Sequence, residues 1–129
     1  MSHSILIVDD SPIMRKMLKR VIAMTNLDFD VVHEASNGQE ALEVLSRARA
    51  DVALVDINMP VMNGMELIEK LAETGALSAT IVVVISTERS QARIERLAEL
   101  GVSRYLTKPF RPEDLRDAVQ ATLAERSHS

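Results

Sequence analysis

Residues Ile5 to Pro12 read ILIVDDSP. Four aliphatic residues make a short strand-like run, and the chain then turns polar at once with two carboxylates, a serine and a proline. Pro12 suits the first position of a helix and Ser11 its cap, so a strand hands over to a helix across the acidic pair. Asp9 and Asp10 repel each other, and burying either one is costly unless a positive charge joins them.

The same strand-then-helix unit recurs along the chain. SILIV is a first strand, followed by a helix from Pro12 to about Thr25, and DVVHE is a shorter strand. SNGQEALEVL opens a second helix, where Asn37 and Glu40 have the spacing of a capping box and Ala41, Leu42 and Leu45 form the apolar stripe. DVALVD is a strand, and INMPVMNG a loop punctuated by Pro60 and an expected Asn63-Gly64 turn. Met65 to Leu71 is helical, with Gly75 as breaker. ATIVVVIS is the most apolar strand, expected to be central and buried on both faces. Gln91 to Leu100 is a helix with Ile94, Leu97 and Ala98 inward, stopped by Gly101, and SRYLT is the last strand. Pro112 opens a final helix with Glu113 and Asp114 in its first turn, where acids suit the helix dipole. Five strands alternating with five helices predict an α/β fold, a parallel sheet covered on both faces, with residues 1–129 as a single domain and no output domain.

Composition excludes several function classes. The 129 residues contain no cysteine, so there is no disulfide framework, thiolate metal site or cysteine nucleophile. No apolar run approaches the length of a bilayer span and the N-terminus is no signal peptide, so membrane insertion is not expected and the cytoplasm is the default. A net charge of -4 argues against direct nucleic-acid binding, and the basic run RKMLKR (Arg15 to Arg20) reads as a solvated helix face. Of the seven methionines, Met14 and Met17 fit a helix core stripe, and His3, His33 and His128 are scattered without a ligand role.

Right-handed crossovers bring the C-terminal ends of parallel strands to one edge of the sheet, where such folds bind ligands. There the strands deliver Asp9 and Asp10, Asp56, Ser86 and Thr87, and Thr107 and Lys108. Three clustered carboxylates call for a cation, and an all-oxygen set favours Mg2+ or another hard divalent ion such as Mn2+. Lys108 can pair with one acid when the metal is absent. Asp56, alone on its strand, is the best nucleophile candidate, and a carboxylate that attacks phosphorus becomes an aspartyl phosphate. Lys108 and the metal would neutralise the moving phosphoryl group and the Ser86 hydroxyl would bond one of its oxygens.

ILIVDDSP, ALVDINMPVMNG, VVVISTE and YLTKPF together resemble the four signature blocks of response-regulator receiver domains, most closely the single-domain chemotaxis regulators, over almost the entire chain. The resemblance implies a flavodoxin-like doubly wound five-stranded sheet in the order 2-1-3-4-5. It implies that Asp56 is the phosphoacceptor (4-aspartylphosphate), Asp10 a direct ligand of the metal, Asp9 its neighbour acting largely through water, and Asn58 a ligand through its backbone carbonyl. Lys108 matches the lysine that contacts the phosphoryl group, before a peptide to Pro109 that is often cis. Ser86 and Tyr105 match the switch pair. Ser86 and Thr87 point to opposite faces, so only one can face the phosphate, and the family register selects Ser86. Thr87 stands where the family more often has alanine or glycine. With Asn58 and Glu88, which match fast-dephosphorylating members, it would tune dephosphorylation.

The implied protein is a stand-alone, monomeric phosphoacceptor rather than an enzyme, fed by a histidine kinase. It would signal by protein-protein contact, with a flagellar switch as the leading target. A phosphorelay intermediate or phosphate sink is the alternative. A metal-dependent aspartyl-phosphate phosphohydrolase fits less well, since its acids are spaced two apart and it needs a cap.

Overall fold

The computed structural model describes residues 3–24, 29–57, 59, 61–87, 91–102 and 104–127. Five strands and five helices alternate: β1 (His3–Val8), α1 (Pro12–Met24), β2 (Phe29–Ala35), α2 (Gly38–Arg47), β3 (Val52–Asp56), α3 (Gly64–Thr74), β4 (Ile81–Ser86), α4 (Gln91–Leu100), β5 (Arg104–Thr107) and α5 (Pro112–Ser127). A 3-10 turn, Ala76–Ser78, links α3 to β4. All pairings are parallel, in the order β2-β1-β3-β4-β5. The chain runs outward from β1 to β2 and then returns past it to β3, which leaves a crevice between the ends of β1 and β3. Among the described residues no helix is long and apolar enough to cross a membrane.

Strand alternation splits the core into two layers. Leu6, Val8, Ala53, Val55, Val82 and Val84 face Ala41, Leu67, Ile68, Leu71 and Leu97 of α2, α3 and α4. Ile5, Ile7, Val52, Leu54, Val83 and Ile85 face Leu18, Val21, Ile22, Leu115 and Val119 of α1 and α5. β3 and β4 are apolar up to their last residues, Asp56 and Ser86, because both faces of the sheet are covered there. β3, rather than the more apolar β4, lies at the middle of the sheet.

Several local expectations need correction. Asn37 caps α2 by accepting from the Glu40 amide, but Glu40 returns to the Ser36 amide and hydroxyl, so the box is only half made. The complete box is at α3, between Asn63 and Glu66. Asn63-Gly64 is therefore a helix start, not a turn, and among the described residues of the loop the left-handed one is Val61 at φ 69°. Gly64 is required by crowding: a Cβ there would stand 2.5 Å from the Asp56 carbonyl oxygen. Met17 (40% exposed) and Ala98 point to solvent, because α1 and α4 each bury a narrower stripe than their apolar residues would allow.

Candidate functional site

The pocket lies where β1 and β3 end side by side. Asp9 follows the last residue of β1, and its amide donates to the Ala35 carbonyl of β2 (3.1 Å), which draws the turn inward. Its Oδ1 accepts from the Ser11 amide (2.9 Å), while the Ser11 hydroxyl caps α1 by accepting from the Met14 amide. Asp9 is thus almost fully buried, and Asp10, the next residue, is exposed. Asp56 ends β3 and is 7% exposed. Oxygens of Asp9, Asp10 and Asp56 lie within 4.8 Å of one another.

The compensating charge comes from the turn after β5. Lys108 Nζ stands 3.5 Å from Asp9 Oδ2 and 3.6 Å from Asp56 Oδ2, so the lysine serves two acids rather than one. Its backbone N–H donates to the Ser86 carbonyl (2.9 Å), and the following peptide, to Pro109, is cis. One ammonium, paired with two of the three clustered carboxylates, leaves an excess of negative charge on an all-oxygen set. That is the chemistry of a hard divalent cation site, and Asp9, Asp10 and Asp56 are the residues that fit one.

Ser86 is fully buried at the end of β4 and Thr87 is exposed, which resolves the two hydroxyls in favour of Ser86 for the interior. Val84 pairs with Tyr105 and Ser86 with Thr107. Alternation therefore puts Ser86, Thr107 and Tyr105 on the face of α3 and α4. Tyr105 is half-buried against that layer. Asn58 and Glu88 lie outside the described residues, as does His128.

One contributor escaped the sequence reading. Arg15, assigned above to a solvated face, is only 16% exposed in its side chain. Its Nη1 donates to the Asp9 carbonyl (2.6 Å) and its Nε to Glu34 Oε1 on β2 (3.1 Å). Lys19 joins Glu34 from the next turn of α1 (2.9 Å). Hydrogen bonding from Lys19 first, and from Arg15, holds the Glu34 carboxyl below its ordinary value. The one available signal was position: Arg15 lies a single turn after Ser11, above the acidic pair.

Fold and pocket together define a flavodoxin-like domain whose ligand edge consists of acids facing one lysine. The chain belongs to the response regulator receiver domain family, whose model matches residues 5–120. It is similar to the chemotaxis protein CheY of Thermotoga maritima, 44% identical over 62 residues, or 48% of this chain and 50% of that protein. Against protein-glutamate methylesterase/protein-glutamine glutaminase 3 of Hahella chejuensis it is 50% identical over 58 residues, 45% of this chain and 16% of that protein. The match thus spans at most half the length of these two relatives. The solved structure of the chemotaxis response regulator CheY4 of Vibrio cholerae superposes with a TM-score of 0.82 at 31% identity, covering 95% of this chain and 99% of that one.

Proposed function

We propose that this receiver domain is a monomeric response-regulator module of the cytoplasm that takes a phosphoryl group onto Asp56 from a histidine kinase. The observation that carries the reading is the lysine bridge. Lys108 holds its ammonium between Asp9 and Asp56, where three phosphoryl oxygens would need positive charge. An Asp56 oxygen forms the new bond to phosphorus as the bond from phosphorus to the donor breaks, and the donor leaves with that electron pair. Asp9, Asp10 and Asp56, with the Asn58 carbonyl, would hold a magnesium or manganese ion. When bound, it supplies charge neutralisation to the phosphoryl oxygens. Ser86 donates its hydroxyl to the phosphoryl group, and Tyr105, on the same face, repacks against the α4 layer, which alters the surface a partner meets. Thr87, Asn58 and Glu88 set the lifetime of the acyl phosphate. The role is that of a phosphoacceptor rather than an enzyme acting on a separate substrate.

Incubation with acetyl phosphate and MgCl2 should add the mass of one phosphoryl group, and Asp56→Asn should abolish it. A wild-type chain that stays unmodified, or an Asp56→Asn chain modified equally, would overturn the reading. We place the output at a flagellar switch, in keeping with the chemotaxis relatives. Pull-downs with switch proteins should retain the phosphorylated form preferentially. Transfer onward to a histidine phosphotransfer protein instead would favour the relay.

A further inference from the structure

The turn that carries Asp10 is closed by a ring of contacts, and Arg15 completes it. Asp9 Oδ1 accepts from the Ser11 amide, the Ser11 carbonyl accepts from the Arg15 amide (3.0 Å), and Arg15 Nη1 donates back to the Asp9 carbonyl. The exposed Asp10 carboxylate, by contrast, receives no hydrogen bond or ion pair from any described residue, so its place depends on the peptide that leads into it. That peptide begins at the carbonyl Arg15 holds. The guanidinium reaches it while its Nε is anchored on Glu34, a two-direction fork that a lysine lacks.

We infer that Arg15 is a positioning residue for the acid pocket: by fixing the Asp9 carbonyl it sets where the Asp10 carboxylate stands relative to Asp9 and Asp56. The inference rests on the proposed metal role of those acids. Its test has an unusual sign. Removing a positive charge beside an acidic cluster should, by electrostatics alone, tighten cation binding. Loss of a positioning contact should loosen it, by about tenfold as for other contacts behind a metal ligand.

The assay is Mn2+ titration of the whole chain, with free Mn2+ read by electron paramagnetic resonance and the fold of each variant checked by circular dichroism. Arg15→Met should bind Mn2+ about tenfold more weakly than wild type. Lys19→Met loses the same charge one turn further on but among the described residues pairs with Glu34 alone, and should bind as tightly as wild type or more so. Arg15→Lys keeps the charge but not the fork, and should also bind more weakly. It decides the matter if Arg15→Met fails to fold. Unchanged or tighter binding in both Arg15 variants would overturn the inference. So would a loss in Lys19→Met equal to that in Arg15→Met. A wild-type chain that binds no Mn2+ would instead overturn the metal reading itself, and the inference with it.

Discussion

Replacing Lys108 by methionine keeps the apolar stem and removes the ammonium, which isolates its electrostatic role. Without metal, the wild-type lysine faces Asp9 at 3.5 Å and Asp56 at 3.6 Å. At an effective dielectric of about 20, each contact carries roughly 4–5 kcal/mol of gross attraction. Most of it is offset by desolvating the ammonium, whose side chain is 18% exposed, and by water screening at the mouth. The variant leaves two carboxylates, Asp9 and Asp56, buried without their cation. Removing the ion-pair partner of a buried charge costs about 3–5 kcal/mol, and the partial exposure here argues for the lower end, about 3 kcal/mol. Urea unfolding followed by far-ultraviolet circular dichroism, at low ionic strength and without divalent ions, should show the midpoint fall by roughly 1.5–2 M at an m value of about 1.5–2 kcal/mol/M. Adding Asp56→Asn to Lys108→Met should recover much of the loss, because one of the two carboxylates that lost the ammonium is no longer charged. Saturating Mg2+ should stabilise the single variant more than wild type. If Lys108→Met matches wild type within about 0.5 kcal/mol, the ammonium provides no net compensation and the charge argument for the pocket fails.

Three further outcomes follow from particular contacts. Gly64→Ala should lose about 2–3 kcal/mol in thermal unfolding, since its Cβ would meet Asp56 O at 2.5 Å and Ile57 Cα at 2.7 Å, both backbone atoms that cannot swing aside; unaltered stability would refute the crowding. Thr80→Val should cost about 1–2 kcal/mol, because the buried hydroxyl donates to the Ala50 carbonyl at 2.7 Å and a methyl cannot; denaturant midpoints would show it. Glu34 ionises more easily in the folded chain than in the unfolded one, so its contribution is complete above its ordinary value of 4.5 and is lost as pH falls through the lower folded value. Glu34→Gln should therefore be less stable than wild type at neutral pH and converge with it in acid, while parallel curves across that range would contradict the pairing with Lys19 and Arg15.

The sheet was legible because each strand is short, aliphatic and closed by a polar residue, and the pocket because those closing residues are charged. ILIV followed by Asp9-Asp10 and VALV followed by Asp56 specify both a strand and its end. What escaped the reading was whatever depends on side-chain reach or backbone proximity. Arg15 belongs to a run of basic residues that looks uniformly solvated, and only the closeness of β2 to α1 turns it inward toward Asp9 and Glu34. Gly64 looks like a turn residue beside Asn63, yet what excludes a side chain is the strand end eight residues earlier. Met17 and Ala98 fit an apolar stripe by spacing, but the stripe actually buried is narrower, and no local rule gives its width. Glu40 sits at capping-box spacing and is drawn off by the free amide and hydroxyl of Ser36.

The two layers of the fold also explain how a change at Asp56 could be felt on the opposite face of the sheet. Asp56 pairs in register with Ile85, and both share the α1/α5 side with Leu54. Asp9, two residues beyond Ile7, and Lys108, leading into α5, approach the pocket from that side too. Ser86 and Tyr105 alternate onto the α3/α4 side with Val84. What joins the sides is backbone: the Lys108 N–H donates to the Ser86 carbonyl at 2.9 Å. A group added to Asp56 that draws the ammonium toward itself pulls on the same residue whose amide holds the end of β4. If Asp56 accepts a phosphoryl group as proposed, the response needs no long chain of contacts, only two packings of Ser86 and Tyr105 that differ by a few kcal/mol, a gap that one new set of charge-assisted hydrogen bonds can close.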